Sequence, residues 1–255
     1  MPRLLKQIII AAVFFAAIGL ILYFSLFRDV PEPSVAPAFS VQSPVVVSQK
    51  LLKVGELDYD FLAEIRNPNL NFGATDVDYE LELYGQDNQL ISVRRGSFYF
   101  LPGETKYEVV SPIRVEQGIL RADFKIINAD WQKLRDYVPR SLFSVKNQEF
   151  NPLSPDQSPF LRATLSNDSN FDFDLVDVYV ILFDEDDDIF AVAITDIRTF
   201  LAKTDRFFEV KWAVPLDMSK YRNVGRIDIN AYTDIFKNEN FIKEHGTQEK
   251  FQRFY

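Results

Sequence analysis

The sequence predicts an all-β chain, two antiparallel β-sandwich domains in tandem, preceded by one N-terminal transmembrane α-helix. Three observations carry that expectation. Gln7–Phe27, QIIIAAVFFAAIGLILYFSLF, holds no charged residue, and about 20 apolar residues at 1.5 Å rise match a hydrocarbon core of roughly 30 Å. Asp76-Val77-Asp78-Tyr79-Glu80-Leu81-Glu82-Leu83-Tyr84 alternates polar and apolar side chains, the period of a half-buried strand. The strand pattern then recurs at an offset near 100 residues, which is a domain duplication and too long for a solenoid repeat.

Residues 1–6 read as a short cytoplasmic tail and 7–27 as the anchor. Arg3 and Lys6 precede the apolar run, and the first acidic residue is Asp29. This bias places the N-terminus in the cytoplasm and the rest of the chain across the membrane. A cleaved signal peptide is the competing expectation, with Ala36-Pro37-Ala38 as its A-x-A site. The apolar stretch of such peptides is usually about 7–15 residues, shorter than the run here. Residues 28–44 contain Pro31, Pro33, Pro37 and Pro44 and read as a semi-rigid stalk in the polyproline regime.

The first sandwich is expected over 45–150, with strands at Val45–Val47, Leu57–Ile65, Asp76–Tyr84, Leu90–Ser97, Tyr107–Val115 and Leu120–Ile127. In the second copy Val176–Phe183 answers to Val77–Tyr84. Ile65-Arg66-Asn67 answers to Leu165-Ser166-Asn167, Phe100-Leu101 to Phe200-Leu201, and Ile127-Asn128-Ala129 to Ile229-Asn230-Ala231. Lys146-Asn147-Gln148-Glu149-Phe150 resembles Lys237-Asn238-Glu239-Asn240-Phe241 at a shorter offset. That match implies an insertion around Asp130–Arg140, read as a short helix ended before Pro139. Asn151–Pro159, with three prolines, is the expected linker, and 160–255 the second sandwich. Short strands separated by turn signals are the pattern of antiparallel sandwiches.

Asn67-Pro68-Asn69, followed by the strand Asp76–Tyr84, resembles the LEA14-like (water stress and hypersensitive response) domain family. The second copy, whose long strand closes on Leu182-Phe183-Asp184, resembles the related FxLYD-type domain. It has Asp168-Ser169 where the first copy has Pro68-Asn69. The resemblance covers about residues 45–127 and 158–231. It implies immunoglobulin-like sandwiches, membrane-anchored members, and no common active site.

Charge and composition exclude several function classes. With Arg3, Lys6 and Arg28 set aside, 25 basic residues face 37 acidic ones, a net near −12. That field disfavours nucleic acid and anionic lipid as partners. The chain has no cysteine, which excludes a disulfide framework, a thiolate zinc site, a cysteine nucleophile and a lipidated cysteine. Unstapled domains outside the membrane point to a bacterial envelope. His245 is the single histidine, set in a turn-like context without a G-x-S-x-G elbow. No catalytic constellation and no cofactor are expected.

Asp184-Glu185-Asp186-Asp187-Asp188 is the most unusual local stretch. Asp184, Asp186 and Asp188 form a weak Ca²⁺ candidate, since Ca²⁺ takes 6–8 oxygen ligands. The D-x-[DN]-x-[DN]-G spacing is absent, and a solvated hairpin tip is the alternative. The first copy has Gly85-Gln86-Asp87-Asn88-Gln89 at that turn, so the charge is not demanded by the fold. Asn167-Asp168-Ser169 fits N-x-[ST], which matters only in a glycosylating host. Trp131 and the terminal Phe254 and Tyr255 are the interaction candidates. The functional expectation is a membrane-anchored binding or scaffold module facing a protein partner or envelope component. The alternatives are a subunit of a larger membrane assembly, or a glycoside-acting hydrolase using carboxylates of the second sandwich.

Overall fold

The structure, a computed structural model, describes residues 2–26, 41–134, 142–153, 158–213 and 218–245. The chain forms two compact units, Met1–Ser40 and Val41–Tyr255. In the first, α1 (Arg3–Leu26) is a helix of 24 residues. The side chains described along it, including Val13, Phe14, Phe15, Leu20 and Tyr23, are exposed. Among the described residues, no helix is long and apolar enough to cross a membrane. Residues 7–26 of the expected span are helical. Most of the expected stalk, with Ala36-Pro37-Ala38, lies outside the described residues.

The second unit is built from twelve strands among the described residues. They are β1 (Val45–Lys53), β2 (Asp58–Arg66), β3 (Phe72–Tyr84), β4 (Leu90–Phe100), β5 (Thr105–Arg114) and β6 (Arg121–Lys133), then β7 (Phe143–Asn151), β8 (Phe160–Asn167), β9 (Phe173–Phe183), β10 (Ile189–Phe200), β11 (Asp205–Lys211) and β12 (Arg226–Tyr232). Four three-stranded sheets result, in the orders β1-β2-β5, β4-β3-β6, β11-β8-β7 and β10-β9-β12. All pairings are antiparallel. Strand for strand, the second six repeat the topology of the first six. The duplication read from side-chain spacing is therefore a duplication of architecture.

Each half closes over its own core. Phe61, Ile65, Val77, Leu81, Leu83 and Phe100 fill the first; Leu161, Leu165, Val176, Val180, Leu182 and Phe200 fill the second. A third cluster joins Leu52, Leu62 and Val109 of the first half to Tyr179, Ile181, Phe183 and Val192 of the second. Sheet β1-β2-β5 therefore packs its outer face on sheet β10-β9-β12, giving four stacked layers. This explains why Val178–Phe183 is an unbroken apolar run where Asp78–Tyr84 alternates. β9 is buried on both faces, and a strand covered on both sides favours a near-continuous apolar run.

Two sequence expectations are corrected here. β7 pairs with β8 over Phe143–Asn151, so the second sandwich begins at Phe143 and not at residue 160. Asn151 ends that strand, and residues 154–157 of the expected linker lie outside the described residues. Likewise, Asp130–Lys133, the start of the expected inserted helix, is strand, because β3 is long enough to pair Phe72 with Lys133 and Ala74 with Trp131; residues 135–140 of that segment lie outside the described residues. The resemblance of Lys146–Phe150 to Lys237–Phe241 is thus not a structural equivalence. The former lies on the first strand of its sandwich; the latter falls in short helices after the last.

Those helices fasten the two halves together. Asp234 caps a 3-10 turn over Ile235–Lys237 by accepting from Phe236 N at 3.1 Å. Asn238 then accepts from Phe241 N at 3.0 Å to start α3 (Glu239–His245). The Phe241 ring packs tilted against that of Phe171, centroids 4.9 Å apart, and clusters with Leu134, Leu142 and Leu101. Phe236 lies against Gly73, where a Cβ would come within 2.5 Å of the ring.

Candidate functional site

Most of the sequence-predicted residues are engaged in local structure. The Asp184 carboxylate accepts from the amides of Asp186 (3.1 Å) and Asp188 (2.9 Å), closing the acidic turn on itself. Asp188 reaches across to Lys50 of the other sandwich at 2.8 Å, and Asp187 pairs with Arg226 at 2.8 Å. Among the described residues, no group of three or more His, Cys, Asp or Glu is arranged to hold a metal ion. The Asp188 pair is exposed and salt-screened, so Asp188→Ala is expected to leave the denaturation midpoint unchanged within error in a urea titration. Trp131 is half-buried on β6 against the first core and borders a groove of about 470 Å³ with Pro44, Val46 and Ile127. Trp212 is buried in the second core and donates Nε1–H to Val192 O at 3.0 Å. Phe254, Tyr255 and the His245 side chain lie outside the described residues.

What the sequence reading missed is a buried charged junction between the sandwiches, organised by β5. Lys106 is 2% exposed and Glu108 8%. Lys106 Nζ donates to Tyr99 O at 3.2 Å and lies 4.0 Å from the Tyr99 ring and 4.8 Å from that of Tyr232. These two rings come from opposite sandwiches, so the ammonium is a cation–π link across the seam. Tyr232 Oη also accepts from Tyr107 N at 3.3 Å. Glu104, at the turn into β5, accepts from Leu101 N at 2.8 Å.

Burial dominates the electrostatics. Desolvation pushes the Glu108 carboxyl up to about 7, opposed by the nearby Lys106 charge and the Tyr79 phenol. Burial also raises Glu104 and, across the seam on β9, Asp177, in each case against the pull of Lys106. One ammonium is thus shared by three carboxyls. Tyr79 reaches Glu108 by lying flat over Gly96, its cross-strand partner, where a Cβ would come within 2.5 Å of the phenol oxygen. Tyr99 Oη and Asn230 Nδ2 are buried beside this cluster without a protein hydrogen-bond partner. Asn230, with Glu104 and Tyr232, lines a cavity of about 160 Å³.

The fold does not require this charge. Glu108 pairs with Ala63, and at the same place in the second sandwich Phe208 pairs with Ala163. Aligning the two copies on their asparagines, Asn67 and Asn167, shows Glu108 standing against Phe208. That was the available signal for the junction.

The junction makes stability pH-dependent. A carboxyl held at about 7 in the fold binds its proton more tightly there than in the unfolded chain, where its ordinary value is 4.5. Stability is therefore greatest below the unfolded value, falls as pH rises toward 7, and is level above it. The loss between pH 5 and 8 is expected to reach roughly 3 kcal/mol, with Glu104 and Asp177 acting in the same direction. Urea unfolding of Glu108→Gln should show a much flatter profile over that range. An unchanged slope would remove Glu108 as its source.

No family model matches the chain, and no curated protein matches it significantly. Among solved structures, the crystal structure of red sea bream transglutaminase aligns at 8% identity and a TM-score of 0.22, over 73% of this chain and 29% of that one. The C-terminal globular domain of an oligosaccharyltransferase from Pyrococcus abyssi aligns at 10% identity and a TM-score of 0.16, over 74% and 46%. The chain therefore spans less than half the length of either, and likeness this low carries no functional argument.

Proposed function

We propose that the chain is a single-pass membrane-anchored protein of the cell envelope. Its N-terminus is cytoplasmic, and its tandem immunoglobulin-like sandwiches form an extracytoplasmic, non-catalytic binding or scaffold module. The observation that carries the reading is the charge-free run Gln7–Phe27, of which residues 7–26 lie in the 24-residue helix Arg3–Leu26. Its described apolar side chains, among them Phe14, Phe15 and Leu20, are exposed. A helix apolar on every face gains its stability from an apolar surround, and Arg3 and Lys6 set its direction. The resemblance to LEA14-like and FxLYD-type domains is consistent with this reading and is part of the proposal. The absence of cysteine and the single histidine favour binding over catalysis.

Fractionation of the full chain tests the anchor. The protein should stay in the membrane pellet through alkaline carbonate and high salt, and added protease should digest the β-unit only from the outer face. Phe14→Arg with Ile18→Arg should move it to the soluble fraction, since each charge at a helix centre costs about 2.5–3.5 kcal/mol of insertion. Release of the unaltered chain by carbonate would end the anchored reading.

A further inference from the structure

A groove of about 790 Å³ runs along the seam, walled by β1 and β5 of the first sandwich and by β10, β11 and α2 (Met218–Arg222) of the second. That is ample for a small molecule. At its floor is Asp60, 7% exposed. On β2 it shares a face with Leu62, which packs into the seam between the sandwiches. The register shift between β2 and β5 falls beside Asp60, and Ser111 Oγ donates to its carboxylate at 2.5 Å. Among the described residues, Asp60 is in no salt bridge. The other two aspartates of the groove already have basic partners there, Asp58 with Arg114 at 3.2 Å and Asp188 with Lys50 at 2.8 Å.

A buried carboxylate held by one hydroxyl is costly, because such charges are ordinarily paired. Burial raises the Asp60 carboxyl, and the neighbouring Asp58 adds to this. Tyr221, contributed by α2, feels the Asp60 charge in turn. The architecture does not demand an acid here. The residue at the equivalent place of the second sandwich is Phe160, seven before Asn167 as Asp60 is seven before Asn67. The groove therefore keeps an unpaired acid at a position where an apolar residue serves the same fold. The cation that would satisfy it has room to enter, and the exposed Lys53 and Lys220 lie along the same groove.

We propose that this groove binds a small zwitterion, its ammonium seated on the Asp60 carboxylate and Ser111, its carboxylate or phosphate end met by Lys53 and Lys220. The assignment rests on the reading of the β-unit as a binding module and names its ligand class. A simple cation fits less well, because the lysines repel it, and a simple anion would meet Asp60. Binding keeps Asp60 ionised, so it releases a proton wherever the free carboxyl is protonated, and affinity increases with pH through that titration.

Calorimetric titration of the full chain in mild detergent with glycine, 4-aminobutanoate, 6-aminohexanoate and 8-aminooctanoate tests the proposal. One chain length should saturate at one per protein. Butylamine and hexanoate, each lacking one charged end, should bind about tenfold more weakly or worse. At acidic pH, where the free carboxyl carries its proton, the measured heat should vary with the ionisation heat of the buffer. Asp60→Asn should abolish binding while raising the thermal midpoint, because it removes a buried unpaired charge; a folded, more stable variant excludes misfolding as the cause. Lys53→Gln with Lys220→Gln should weaken the amino acids and tighten butylamine, which no longer meets two like charges. The proposal is overturned if no member binds at millimolar concentration, or if Asp60→Asn binds as the unaltered chain does. Neither result bears on the anchor, which carbonate extraction reads separately.

Discussion

Replacing Lys106 by methionine is expected to destabilise the β-unit by about 3–5 kcal/mol. The methionine keeps the apolar stem in place, so the loss reports the charge. Without the ammonium, the buried Glu108 and the half-buried Glu104 and Asp177 lose the cation that opposes their desolvation, and Lys237 still acts on Asp177. Tyr99 O loses its donor, and the cation–π link between Tyr99 and Tyr232 disappears. The carboxyls respond by taking up protons, so the penalty shrinks as pH falls. Stability of Lys106→Met should approach that of the unaltered chain at pH 5 and diverge most at pH 8. Adding Glu108→Gln to Lys106→Met should recover part of the loss, a coupling readable in a double-mutant cycle. Urea unfolding at both pH values measures all four proteins. A pH-independent loss, with no recovery in the double variant, would mean that Lys106 contributes only its packing.

The sequence carried the architecture better than the junction, and the reason is physical. Strand alternation follows from one face being dry and the other wet, and that contrast is written locally in Asp76–Tyr84. Burial of β2 and β9 on both faces is a tertiary fact. In β9 it shows as the run Val178–Phe183, whereas β2 hides it, because Asp58, Asp60 and Glu64 interrupt its apolar positions. Boundaries suffered from the same limit. Lys146–Phe150 reads as the end of one repeat by composition, and only its pairing with β8 reveals it as the beginning of the next. The acidic turn drew attention because five carboxylates adjoin in sequence. The carboxyls that matter electrostatically, Glu104, Glu108 and Asp177, are scattered along 74 residues of chain and meet only when the sandwiches stack. Asp60 and Glu108 were nevertheless legible in principle. Each stands where the other copy has phenylalanine, and a duplicated fold is its own control.

The duplication also isolates what both copies need, and it predicts the second large effect. Asn67 and Asn167 are each 1% exposed and do the same work in their own sandwich. Asn67 Nδ2 donates to Phe72 O at 2.7 Å and Leu101 O at 2.9 Å, while Oδ1 accepts from Asn69 N at 2.9 Å. Asn167 Nδ2 donates to Phe171 O at 2.8 Å and lies 3.1 and 3.2 Å from Leu201 O and Phe200 O; its Oδ1 accepts from Ser169 N at 3.1 Å. Each side chain thus joins the end of one sheet to the turn and strand end of the other. Alanine takes a side-chain donor from these carbonyls and the acceptor from one amide; Leu101 O keeps the Glu104 amide at 3.2 Å and Leu201 O the Thr204 hydroxyl at 2.8 Å, and each group left stranded costs about 1–3 kcal/mol. Asn67→Ala and Asn167→Ala should each cost about 3 kcal/mol or more. Hydrogen exchange should place the added opening in the first sandwich for one and in the second for the other. Aspartate should do no better, since it keeps the acceptor, loses the amide donor and turns a charge toward carbonyl oxygens. The same burial closes the Asn167-Asp168-Ser169 sequon to a glycan in the folded chain. Asn128→Ala, at an exposed site on β6, is the control. If the buried variants unfold at the same urea concentration as that control, the paired asparagines are not what holds the sheets together.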